Sequence, residues 1–235
     1  MAELVFFTGT MDCGKSTLAL QTDHNYAARG LHGCLLTRMD RSGRAMLSSR
    51  LGLATPAVEV TDDTDLWDLI ASLQTTGRAV DYVICDEAQF YTPTQIEHLA
   101  RVVDEMGIEV FCFGITVDFR AELFPGSRRL IELADRVEVL QVRALCWCGA
   151  RATHNARVVD GVMVLTGEQV IVGDTGHSQG GTGHVDYEVL CRRHFMRRMP
   201  SRAAHAAALG AQVLPFDLGV GAQPRQEPEN PGPDR

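Results

Sequence analysis

The residues best suited to chemistry begin at Gly9, where the chain reads GTMDCGKS through Ser16. This is the spacing G-x-x-x-x-G-K-[ST] of a phosphate-binding loop. Between the glycines, the backbone N–H groups of Thr10, Met11, Asp12 and Cys13 can converge on phosphate oxygens. A helix opening after Gly14 turns its positive end to the same anion. Lys15 is the only lysine in 235 residues. An ammonium is a compact point charge on a thin stem, whereas a guanidinium is a wide planar fork. A cation that must reach β- and γ-phosphates through a tight loop needs the first shape. Ser16 then offers its hydroxyl to Mg²⁺. Residues 9–16 therefore read as the first part of a site for ATP and its Mg²⁺.

Asp86 and Glu87 follow the apolar run YVIC and open the stretch DEAQF. Carboxylates at the carboxyl end of a parallel strand lie where an α/β sheet binds its ligands, beside the phosphate loop. Asp86 reads as a ligand of Mg²⁺ through a water, and Gln89 is grouped with it in the nucleotide site. Glu87 is free to face whatever attacks the γ-phosphate. The attacker is water in an ATPase and a substrate hydroxyl in a kinase, where the carboxylate takes the hydroxyl proton as the base. Spacing alone leaves both open.

A second set of reactive side chains comes later. Cys146 and Cys148 flank a tryptophan, and Cys191 and His194 form C-x-x-H. Four such donors in two pairs suit a structural, tetrahedral Zn²⁺. The alternatives are free cysteines, or His154 as a substitute ligand. Cys34, Cys85 and Cys112 sit inside apolar runs and read as buried thiols.

The elements that must position these groups follow from the pattern. ELVFFTG (3–9), HGCLLTR (32–38), DYVICDE (81–87) and IEVFCFGI (108–115) are apolar without strict alternation, as strands of a buried parallel sheet are. DLWDLIASLQ and PTQIEHLARVVDEM carry apolar residues at helical spacing. Alternating strands and helices imply an α/β core with a mostly parallel sheet over residues 1–145. Residues 146–200 change texture to short β-like pieces, paired cysteines and a glycine-rich loop at 173–186. Residues 201–235 end in a polar, proline-rich stretch and read as a largely disordered tail.

Hydrophobic residues make up 45% of the chain and the net charge is −8. An acidic balance argues against nucleic acid or an anionic membrane as the main partner. The arginines of CRRHFMRRMPSR (191–202) could line a zinc-ribbon nucleic-acid module, but a solvated basic helix is the commoner meaning of such a run. No run reaches membrane-spanning length and the N-terminus lacks the features of a signal peptide, so a cytoplasmic location is expected.

Four motifs in order now resemble one family. GTM-CGKS, DEAQF, GITVDFR (114–120) and YEVLCRRH (187–194) look like the thymidine kinases of the cellular, zinc-containing type. The resemblance spans roughly residues 3 to 197. It implies a P-loop NTPase-like α/β fold with a small zinc-ribbon-like lasso domain, and transfer of phosphate from ATP to thymidine or deoxyuridine. Glu87 matches the family's catalytic base. Met11, Phe90 and Phe119 match walls of the nucleoside pocket, although Phe119 taken alone reads as core. Tyr187 and the backbone at Val172 and Gly173 match the loop that closes over the nucleoside. Asp40 and Arg41 resemble an acidic–basic pair of the nucleotide site. The metal set of Cys146, Cys148, Cys191 and His194 is also implied, with C-x-C here where the family usually has C-x-x-C. The resemblance further implies a homotetramer. Another phosphate-loop nucleoside or nucleotide kinase, or an ATPase, is the alternative.

Overall fold

The computed structural model describes residues 1–38, 45–167, 169 and 184–209. Six strands form a sheet that is parallel throughout: β1 (Leu4–Thr8), β2 (Gly33–Thr37), β5 (Val58–Glu59), β6 (Tyr82–Cys85), β7 (Glu109–Gly114) and β8 (Arg136–Val139). Their order is β5-β2-β6-β7-β1-β8. A short hairpin of β3 (Met46–Ser48) and β4 (Ala54–Pro56) stands apart from it.

Each central strand feeds two cores because successive side chains point to opposite faces. On one face Leu4, Phe6, Val83, Cys85, Val110 and Cys112 pack with Leu66 and Ile70 of α2 (Leu66–Thr75) and Ile96 and Leu99 of α3 (Pro93–Met106). On the other, Val5, Tyr82, Ile84, Phe111 and Phe113 pack with Ala19 and Leu20 of α1 (Lys15–Ala27). The α3 helix starts where its sequence says it should. The Thr92 hydroxyl accepts from Gln95 N and the Gln95 side chain accepts from Thr92 N, with Pro93 in the first turn. Gly107, at φ 67°, ends it.

α4 (Pro125–Leu133) packs on the 3-10 turn Ala88–Phe90. A Cβ on Gly126 would lie 2.5 Å from the Ala88 carbonyl oxygen and 2.7 Å from that of Tyr91, so only glycine permits the approach.

A second sheet holds β9 (His154–Val159), β10 (Val162–Val164) and β11 (Val185–Leu190), antiparallel with β9 in the centre. Its core is small: Cys146, Ala156, Met163, Leu190 and Phe195. Two helices follow, α5 (Arg192–Met196) and α6 (Ser201–Leu209). The second opens the segment expected to be a tail, and residues 210–235 lie outside the described residues. No described helix is long and apolar enough to cross a membrane.

Candidate active site

Three catalytic candidates leave the carboxyl edge of the parallel sheet because β6, β7 and β1 are neighbours. The phosphate loop follows β1, Asp86 and Glu87 follow β6, and Ile115–Phe119 follow β7. Gly14, at φ 82°, caps α1 without a side-chain bond, so the helix N-terminus is open to an anion. The Lys15 ammonium donates to the Thr10 carbonyl at 2.8 Å and reaches Cys13 Sγ at 3.8 Å. Asp12 holds φ 62° and pairs with Arg50 from the β3–β4 hairpin.

Asp86 is buried and hydrogen-bonded to Ser16. Burial first, and then the neighbouring Glu87 charge, push its carboxyl up to about 6 against the pull of Ser16 and Lys15. Glu87 is half-buried and sits at φ 52°, ψ 35°, in the left-handed region. Such a conformation in a non-glycine residue is held by its surroundings. The Gln89 amide donates to Glu87 Oε2 at 2.6 Å while its oxygen accepts from Ile115 N at 3.1 Å. Gln89 thus fixes the carboxylate and ties the β6 loop to the β7 loop. On the β8 side of the phosphate loop, away from Glu87, a cleft of about 230 Å³ is lined by Thr10, Thr116, Val117, Leu140, Val142 and Asn155 among others.

The β7 loop is braced from within. Asp118 is buried and accepts from the backbone of Arg120 and Glu122 and from the Arg120 side chain. Phe119 next to it is 2% exposed. Phe90 meets Phe124 edge-to-face at 5.5 Å. From the second sheet, Asn155 accepts from Met11 N at 2.8 Å and donates to the Val117 carbonyl at 3.4 Å. Arg157, on the same strand face, lies 3.7 Å over the Phe119 ring and donates to the Tyr187 hydroxyl at 3.0 Å.

The candidate metal donors converge where β9 begins and β11 ends, with Cys146 packed beside Ala156 and Leu190. The ligand atoms of Cys146, Cys148, Cys191 and His194 all lie within 4.8 Å of one another. Cys146 Sγ is 3.3 Å and Cys191 Sγ 3.5 Å from His194 Nδ1. The C-x-C pair adapts through a tight turn, with Gly149 N donating to Cys146 O at 2.8 Å and Cys146 N to Ala150 O at 2.9 Å. Trp147 projects from this turn to stack on His194 at 4.1 Å and donates to Met199 O at 3.0 Å. Burial, then Arg193 and Arg197, lower the His194 pKa and favour the neutral imidazole that a metal needs. Three thiols and an imidazole at this separation fit a tetrahedral zinc. His154 is not in the cluster; it bonds Thr153 and stacks on Phe195.

Comparison with known proteins spans both halves. The family model described as thymidine kinase matches residues 2–195. A thymidine kinase of Streptomyces coelicolor is 65% identical, covering 92% of this chain and 98% of that one. Those of Cutibacterium acnes and Jannaschia sp. are 56% and 43% identical, covering 92% and 83% of this chain and 98% and 95% of theirs. The chain belongs to the thymidine kinase family. ATP is the phosphate donor that membership implies.

Of the residues expected at the thymidine kinase site, Gly9–Ser16, Asp86, Glu87 and Gln89 gather at one sheet edge. Phe119 follows β7 at the same edge, Arg157 joins Tyr187 to Phe119, Asn155 bonds Met11, and Phe90 lies one residue from Gln89. Asp40, Arg41, Val172 and Gly173 lie outside the described residues. The sequence reading did not single out Asn155 or Arg157. Their signal was slight: polar residues two apart in a run (NARVV) whose neighbours are apolar.

Proposed function

We propose that the chain transfers the γ-phosphoryl group of ATP to the 5′-hydroxyl of thymidine or deoxyuridine, with Glu87 as the base. The observation that carries this reading is the Gln89–Glu87 bond at 2.6 Å, which holds a half-buried carboxylate two strands from the phosphate loop. One oxygen of Glu87 is engaged, and the other takes the hydroxyl proton as the substrate oxygen bonds to phosphorus and ADP leaves. The open N-terminus of α1 and the Lys15 ammonium hold the β- and γ-phosphates. Mg²⁺ bound with ATP neutralises phosphate charge, and Ser16 and Asp86 would hold it. The rest of the nucleotide extends toward the cleft on the β8 side of the loop.

The nucleoside lies against Met11, Phe90, Phe119 and Tyr187 in this reading, and the family resemblance adds Val172 and Gly173 as nucleoside contacts and Asp40 and Arg41 as nucleotide contacts. Residues 1–145 act as the ATP-binding unit and 146–200 as the lasso, with a structural zinc on its four ligands. The family resemblance extends the proposal to a homotetramer, which light scattering tests.

The function is tested by phosphotransfer from Mg-ATP to thymidine, deoxyuridine and thymidine monophosphate, beside a reaction without acceptor. Transfer to the two nucleosides is expected. Equal ATP turnover without acceptor, or preference for the monophosphate, would replace this reading with an ATPase or a nucleotide kinase.

A further inference from the structure

Arg157 is the only arginine among the buried residues described, 2% exposed, whereas the other described arginines and Lys15 reach water. Removing a guanidinium from water is costly unless its environment is built for it. Here the environment comes from three separate pieces of chain. The guanidinium carbon lies over the Phe119 ring, 3.7 Å from its centroid, where a cation meets the negative face of the ring. Strand register sets Arg157 of β9 directly opposite Tyr187 of β11, and its Nε donates to the Tyr187 hydroxyl at 3.0 Å. The third piece is Gly167, at φ 115°, where a Cβ would come 3.2 Å from Arg157 Nη1. A third piece of chain, at Gly167, thus lies against the same guanidinium.

We propose that Arg157 is the positioning residue of the nucleoside pocket. It locks a wall from the ATP-binding unit, Phe119, to a wall from the lasso, Tyr187. The inference rests on the nucleoside pocket proposed above. It assigns to one buried cation the coupling between the two units on the acceptor side only. Asn155 makes the separate bond to the phosphate loop, so Arg157 should govern nucleoside affinity and leave ATP affinity alone. A planar fork is required, because a lysine has neither the Nε donor nor a flat face for the ring.

The test measures KM for thymidine and for ATP separately in Arg157→Met, Arg157→Lys and Tyr187→Phe. Arg157→Met should raise the thymidine KM by roughly ten- to a hundred-fold while the ATP KM stays within about twofold. Arg157→Lys should recover part of the loss. In a Tyr187→Phe background, Arg157→Lys should cost less than it does alone, because the bond between them is already gone. If Arg157→Met does not fold, the lysine variant and the double mutant carry the comparison. An unchanged thymidine KM, or equal rises in both KM values, would overturn the proposal while leaving thymidine phosphorylation by the unaltered chain intact. Failure of the unaltered chain to phosphorylate any nucleoside would overturn both.

Discussion

Glu87 shows how a single residue can be held for proton transfer by backbone and neighbours together. Its left-handed backbone and its bond to Gln89 fix the carboxylate before any substrate arrives. Glu87→Gln keeps the shape but cannot accept a proton. Turnover should fall by roughly 10²–10⁴ while ATP binding persists, measured by steady-state kinetics beside calorimetry. Lys15→Arg keeps the charge but widens the head group beyond what the Thr10 carbonyl and the loop accommodate. We expect at least about a tenfold loss of phosphotransfer, and normal transfer would remove the shape argument. Asp86 makes a prediction about pH. Its carboxyl titrates near 6 in the native protein and near 3.8 when unfolded, so between these values the native state holds a proton that the unfolded chain has released. Its contribution to stability therefore falls as pH rises through that window and is level above it. Urea melts at about pH 4.5 and about pH 7 should show this slope flattened in Asp86→Asn.

At the level of elements, the 3-10 turn after β6 is pressed into place by α4, and Gly126 is the point of contact. Gly126→Ala would drive a methyl group into three backbone carbonyls, those of Ala88, Gln89 and Tyr91. We expect a cost of about 1–3 kcal/mol in stability. Turnover should also fall, because the same turn carries Gln89; a thermal melt and a rate measurement on one sample would separate the two effects. Much of this framework was legible in the sequence. The apolar runs at 3–9, 32–38, 81–87 and 108–115 became β1, β2, β6 and β7, and α3 begins at the proline of its capping box. Apolar residues without alternation can only be buried on two faces, which is why those strands were readable. β8 and β5 were not, because an edge strand such as RVEV is largely exposed and need not be apolar. Asn155 and Arg157 were missed for a different reason. Which loop a strand faces is set by tertiary packing, and no local pattern records that Phe119 lies across from residue 157.

On the scale of the molecule, the two larger sheets bury cores of very different depth. The parallel sheet buries apolar clusters on both faces, whereas the second unit has a cluster of five buried residues, one of them a candidate zinc ligand. Zinc would join the turn at Cys146 to the start of α5 at Cys191, tying the chain that enters β9 to the chain that leaves β11. A metal bound only by the folded form stabilises that form. Chelation should therefore speed amide exchange in β9–β11 well before β1, β6 and β7 respond. The thymidine KM should rise more than the ATP KM. Purified protein should carry about one zinc per chain, lost when Cys146 and Cys148 are both replaced by serine. A metal-free preparation with native exchange rates and full activity would rule out this role.

The amine that donates to the Thr10 carbonyl is also the only side-chain amine the chain possesses. An amine-directed reagent therefore has one internal amine to find besides the N-terminal one, and it belongs to the phosphate loop. A single added mass on Lys15 would report an empty loop, and its suppression by Mg-ATP would report a filled one. Where a protein carries many lysines, background labelling hides the informative site. This chain turns an ordinary amine reagent into an occupancy meter, readable on the intact protein in a mass spectrometer without a tag or a mutation.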